Sequence, residues 1–75
     1  MNLIGGMNMN GYDITKYYVW KNNDHADADG FWDMEEAITF AKENNCDEVE
    51  MTCWENEDSY DNREPTDYFK VVWRK

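Results

Sequence analysis

Sixteen of the chain's seventeen acidic residues fall between Asp24 and Asp67, where only Lys42 and Arg63 oppose them, so this stretch carries a formal charge of −14. The flanks are weakly basic. Residues 1–23 hold Lys16 and Lys21 against Asp13, residues 68–75 hold Lys70, Arg74 and Lys75 with no acid, and the whole sums to −10. A block of like charge repels itself and destabilises any compact state. The core must therefore come from the apolar clusters that flank and interrupt the block. Aromatic residues make up 16% of the chain, with Trp20, Trp32, Trp54 and Trp73 prominent, and large rings are the most effective way to fill a small interior. Without those clusters, a mean hydropathy of −1.01 at this charge would describe a disordered chain.

With 75 residues there is room for one domain and one core, since a chain of this size buries only a little over ~60% of its unfolded surface. A deep catalytic pocket of ~300 Å³ or more would consume that core. If residues 48–54 form a strand, Cys46 and Cys53 lie roughly 20 Å apart, too far for a disulfide, which needs less than ~7 Å. Reduced thiols imply a cytoplasmic protein. The N-terminus has no basic region followed by an apolar run, so no secretory signal is expected. The net charge disfavours direct contact with nucleic acid and with anionic membrane surfaces.

Residues 1–11, rich in Gly, Asn and Met, read as a loosely ordered segment, with Leu3 and Ile4 the candidates for a short strand and Asn10-Gly11 a turn signal. Ile14 to Trp20 is β-branched and aromatic and predicts a strand; Lys21 to Gly30 is polar and turn-rich. Asp33-Met34-Glu35-Glu36 has the form of a capping box. It opens a helix whose apolar stripe is Met34, Ala37, Ile38 and Ala41, flanked by Phe40, with Asn44 and Asn45 as its stop. Glu48 to Trp54 alternates strictly, Val49, Met51 and Cys53 on one side and Glu48, Glu50, Thr52 and Trp54 on the other, as in a half-buried strand. Glu55 to Asp67 reads as a long acidic loop, and Tyr68 to Arg74 as a last strand with Phe69, Val71 and Trp73 inward. The expected fold class is α+β: a single domain over residues 12–75, ordered β-α-β-β, with one helix on a three-stranded, mainly antiparallel sheet. In that scheme the helix joins two parallel strands and the last strand fills the gap between them.

His25 to Glu36 resembles an EF-hand calcium loop, with Asp27 and Asp29 at its third and fifth positions, Gly30 at the sixth, Asp33 at the ninth and Glu36 at the twelfth. The resemblance implies Asp27, Asp29, Asp33 and Glu36 as metal ligands. It departs at the first position, where His25 replaces a carboxylate with a nitrogen that calcium does not favour, and the preceding segment reads as strand. A turn at Asp29-Gly30 followed by a helix capped by Asp33 uses the same residues, so no tight calcium site and no cofactor are expected. His25, Cys46 and Cys53 lack the spacing of a zinc site. Neither a nucleophile with its base nor a phosphate-cradling loop is present, so the chain is not expected to be an enzyme.

Protein binding that inhibits its partner is the function the charge favours; the alternatives are a calcium-binding or regulatory module using His25 to Glu36 and a structural accessory domain whose acids merely coat a solvated surface. Glu48 and Glu50 would stand about 6.6 Å apart on one strand face, a spacing comparable to successive phosphates of a nucleic acid. Glu55, Glu57, Asp58, Asp61 and Glu64 would extend the row. Trp54 and Tyr60, with Trp32, supply aromatic anchors inside an acidic rim. In charge and length the chain resembles the small acidic proteins that phages make against DNA-binding host machinery, anti-CRISPR and anti-restriction inhibitors among them. That resemblance implies a basic nucleic-acid-binding protein as partner.

Overall fold

The computed structural model describes residues 12–26 and 29–75. The expectations for residues 1–11, and for Asp27 as a ligand, lie outside the described residues. Six elements follow one another: β1 (Ile14–Lys21), β2 (Asp24–His25), α1 (Met34–Glu43), β3 (Glu48–Trp54), α2 (Glu57–Asp61) and β4 (Tyr68–Arg74). The strands form one antiparallel sheet in the order β2-β1-β3-β4, and α1 packs across β1 and β3. The fold is α+β as expected, with four strands rather than three.

The extra strand decides the topology. Asn22 and Asn23 both adopt left-handed backbone, φ 55° and 67°, which closes β1 onto β2 through a two-residue hairpin loop. The Ala26 N–H donates to the Val19 carbonyl, and further on Tyr17 and Phe31 exchange backbone hydrogen bonds of 2.8 and 2.7 Å. This added reversal starts α1 at the opposite end of the sheet. The helix returns the chain to the Trp20 end, so β3 pairs antiparallel to β1, with Val19 opposite Val49 and Tyr17 opposite Met51. The expected parallel pair with a strand inserted between is thereby corrected: β1 and β3 are direct neighbours, and β4 lies outside β3.

Helix α1 begins where the capping box places it. The Asp33 carboxylate accepts the Glu36 N–H at 3.0 Å, which satisfies one of the helix's orphan donors, and Asn45 turns left-handed at its end, φ 55°. Its buried residues are Ala37 and Ala41, whose small side chains let the helix approach the sheet; they close a core with Val19, Cys46 and Val49. Ile38, Phe40, Phe31, Tyr17, Val72 and Trp73 pack around that centre. Met34, expected in the stripe, opens the first turn of α1 and is 40% exposed. Both cysteines are free and buried. Among the described residues no helix is long and apolar enough to cross a membrane.

Two further expectations are corrected. A register shift opposite Val49 and Glu50 leaves Val72 as an extra residue in β4. It breaks the alternation, so Val72 and Trp73 meet the core while Phe69 and Val71 fall on the other face. The acidic connection from 55 to 67 is also not a plain loop. Asn56 caps α2 by accepting the Ser59 N–H at 2.9 Å, and the acids Glu57 and Asp58 lie in its first turn, where negative charge complements the helix dipole.

Candidate protein-docking face

The sheet has two unlike faces. Paired residues on neighbouring strands point to the same side, so the face turned away from α1 can be followed row by row. Trp20, Glu48 and Arg74 form one row, with His25 beside Trp20; Tyr18, Glu50 and Val71 form the next; Lys16, Thr52 and Phe69 the third; Ile14 and Trp54 the last. Lys16, Thr52 and Trp54 in the last two rows are buried beneath α2 and the segment around Trp32, while Phe69 at the β4 edge stays exposed.

Lys16 organises the covered end. Its residue is only 9% exposed, yet its ammonium donates to the Tyr60 hydroxyl at 2.8 Å and lies 4.8 Å from the Trp32 ring centroid, 5.3 Å from Tyr60 and 5.8 Å from Tyr18. Rings around a cation stabilise it through their quadrupoles. Burial pushes the Lys16 ammonium down, but the Tyr60 hydrogen bond, the Tyr18 and Tyr60 phenols and the Asp29 carboxylate outweigh it and hold it above the ordinary lysine value. Burial raises the Tyr18 phenol, against the opposing pull of Lys16.

Tyr60 thus fastens α2 to the sheet. Its ring also meets Trp54 edge to face at 5.1 Å and Trp32 at 5.7 Å, while the Trp54 indole N–H donates to the Glu64 carbonyl at 2.9 Å. The Asp67 carboxylate takes the Glu55 N–H at 2.7 Å, and Thr66 Oγ1 bonds the backbone of Cys53. The acidic connection is therefore tied down at both ends and in the middle. An open cavity of about 600 Å³ lies beside this cluster, between Lys16, Tyr18, Tyr60 and the acids Asp29, Asp61 and Glu64.

At the uncovered end, His25 stacks on Tyr18 at 5.0 Å and meets Trp20 edge to face at 4.2 Å. Gly30 is needed where it stands. It has φ 74°, and a Cβ there would come within 2.8 Å of Tyr18 Cε1, so only glycine lets the chain pass so close to that ring.

Of the residues singled out in the sequence, Glu48 and Glu50 occupy the open face as expected. Glu55, Glu57, Asp58, Asp61 and Glu64 are exposed on or beside α2. Trp54 is buried and Tyr60 half-buried, so both hold α2 in place. The exposed rings are Trp32, 61% open, and Phe69, 62% open. Lys16 escaped sequence reasoning because one lysine in a strand looks solvated; its only signal was its place among Tyr17, Tyr18 and Trp20. The calcium-loop residues are dispersed: Asp29 borders the Lys16 cavity, while Asp33 and Glu36 line a separate groove beside α1. Among the described residues no group of three or more His, Cys, Asp or Glu side chains is placed to hold a metal.

These features define a small α+β protein with one face of its sheet packed against a helix and the other only partly covered. Compared with protein-family models, curated proteins and solved structures, the chain matches none.

Proposed function

We propose that the protein is a binding module that docks onto a basic nucleic-acid-binding protein, presenting carboxylates where that partner would hold phosphates. The observation that carries this is the state of the acidic connection. Glu57, Asp58 and Asp61 stand on a capped helix pinned through Tyr60 to Lys16 and Trp54. Charges held at fixed spacing bind a complementary groove without the ordering cost of a mobile loop. Glu50 adds a further carboxylate on the sheet face, beside the Glu48–Arg74 pair, and the exposed Trp32 and Phe69 supply apolar contact near it. The free thiols of Cys46 and Cys53 suit a reducing, cytoplasmic setting. The phage-made acidic inhibitors that the chain resembles in charge and length would act in this way.

The test is capture of a partner from host lysate, followed by salt and competition. A partner of the expected kind is released by added duplex DNA, and its affinity falls steeply as the Debye length shrinks from ~10 Å at 0.1 M salt to ~3 Å at 1 M. Reversing the charges of Glu55, Glu57 and Asp58 should slow association more than it speeds dissociation. A partner indifferent to salt, to DNA and to these reversals, or one bound through Lys21, Lys70 and Arg74, would sink the proposal.

A further inference from the structure

Glu50 lies at the centre of the open face, half-buried, with Tyr18 opposite it on β1 and Val71 opposite it on β4. Its neighbours on that face have their charges satisfied. Glu48, one row away, takes Arg74 Nε at 3.3 Å, and Lys16, one row the other way, is engaged by Tyr60 and the surrounding rings. Among the described residues Glu50 has neither an ion pair nor a side-chain hydrogen bond. A carboxylate partly removed from water gains from a cation that replaces its lost hydration. Beside it on β4, Phe69 turns a ring that is 62% exposed to the same side of the sheet, and Val71 offers an apolar patch between them.

We infer that Glu50 is the seat of an arginine side chain supplied by the protein partner. The guanidinium pairs with the Glu50 carboxylate and lies against the Phe69 ring, and its methylenes rest on Val71. Arginine suits this place better than lysine. Its planar fork can take both carboxylate oxygens, it stacks on aromatic faces, and it sheds water more readily than an ammonium. On the same face the neighbouring Glu48 already takes an arginine from within the chain, through Arg74 Nε alone. The inference rests on the proposal that the open face is the docking face, and it names the side chain that the face receives.

The experiment is a titration of the isotopically labelled full chain, followed by amide NMR, with a short capped peptide carrying two arginines between glycines. Companion titrations replace the arginines by lysine and by citrulline. Shifts centred on Glu50, Phe69 and Val71 are expected. The arginine peptide should bind several-fold more tightly than the lysine peptide, and the citrulline peptide should cause no shift. Glu50→Gln should weaken arginine binding about tenfold, the loss of one charge-assisted pair, with the α1 amide shifts unchanged to show that the fold persists. Phe69→Ala should remove most of the preference for arginine over lysine. Reversal of Glu55, Glu57 and Asp58 should leave the shifts at Glu50 in place. Equal response to both cations spread over the acids of α1 and α2, or no effect of Glu50→Gln, would overturn the seat while leaving the mimicry proposal standing. A seat that passes these tests in a protein whose partner is not displaced by DNA would retain the seat and remove the mimicry.

Discussion

The two faces of one sheet put the same strands to opposite uses. Toward α1, β1 and β3 contribute Val19, Val49 and Cys53, all fully buried, and the helix adds Ala37 and Ala41, also fully buried, with Ile38 and Phe40 partly buried beside them. Away from α1, the alternate residues of those strands are Lys16, Tyr18, Trp20, Glu48 and Glu50, a mixture of rings and charges. The first face has a centre of small buried side chains ringed by larger apolar ones, Tyr17, Phe31, Ile38, Phe40 and Trp73 among them. The second is held by specific geometry, with a cation among rings, a stack on His25 and a glycine under Tyr18. Stability should therefore be concentrated on the helix side, and damage there should be general. Damage on the open side should be local.

The largest effect expected from this contrast comes from Val49→Ala. It removes buried methyls from the centre of the core, where Val19 and α1 leave little freedom to collapse, and should cost about 2–3 kcal/mol. Chemical denaturation followed by tryptophan fluorescence would measure it; a loss below about 1 kcal/mol would mean that the helix side is not the principal core. On the open face the most damaging single change should be Gly30→Ala, at about 2 kcal/mol, because the new Cβ meets Tyr18 at a positive φ. The Tyr18 ring cannot swing away freely, since His25 is stacked on it. The comparison would be sharpened if this substitution disturbed the amide shifts of Tyr18 and His25 while those of α1 stayed in place.

Much of the helix side was legible in the sequence, and little of the open side was. The Asp33 cap, the Ala37–Ala41 spacing and the alternation of β3 are local patterns that repeat at the period of their element. The errors arose where one residue changed the meaning of those after it. Asn22-Asn23 lacks the glycine of the strongest hairpin signal, so β2 went unread, and with it the reversal that makes β1 and β3 antiparallel. The extra residue Val72 inverts the faces of β4, which no alternation pattern can foretell. Helix α2 contains no apolar stripe; its signals were Asn56 as cap and two acids in the first turn. On the open face, Glu48 and Glu50 fall where the period of β3 puts them. The stack on His25 depends on the missed hairpin, and the rings around Lys16 come from Trp32 and from Tyr60 on the missed α2.

A smaller and more selective effect is expected from Tyr60→Phe, which keeps the ring but removes the hydroxyl that Lys16 contacts. A hydrogen bond to a charged group is worth ~1.5–3 kcal/mol when enclosed; beside an open cavity the loss should be nearer 1 kcal/mol, because water can replace the hydroxyl. Its signature is in pH. Lys16 is raised from 10.5 and Tyr18 from 10.0, so in both cases the folded state holds its proton more tightly than the unfolded state. The stability this contributes is complete below those values and is lost as pH climbs through the higher folded ones. The wild-type protein should therefore weaken progressively above about pH 10. Tyr60→Phe should flatten that decline, because Tyr60 helps to raise both groups, whereas Lys16→Met should remove the lysine's part and steepen the Tyr18 part, which Lys16 holds down. Unfolding curves whose alkaline slope is unchanged in both variants would show that the caged lysine does not couple to folding.

The smallest expected effect is a gain. Asn23 sits at φ 67° in the loop that sends the chain back along β1, a conformation asparagine tolerates and glycine adopts without a Cβ contact. Asn23→Gly creates the Asn-Gly pair that two-residue hairpin loops favour most. Relief of the left-handed strain is offset by the greater freedom of glycine in the unfolded chain, leaving a net stabilisation of a few tenths of a kcal/mol. The position matters more than the size. This hairpin carries His25 onto Tyr18 and Trp20, so a firmer turn should slow amide exchange across β2 and the facing end of β1 while leaving α1 unaltered. If instead the gain spread evenly to the α1 and Val49 amides, the two faces would be opening together, and the division between a packed side and a presented side would not extend to the dynamics of the sheet.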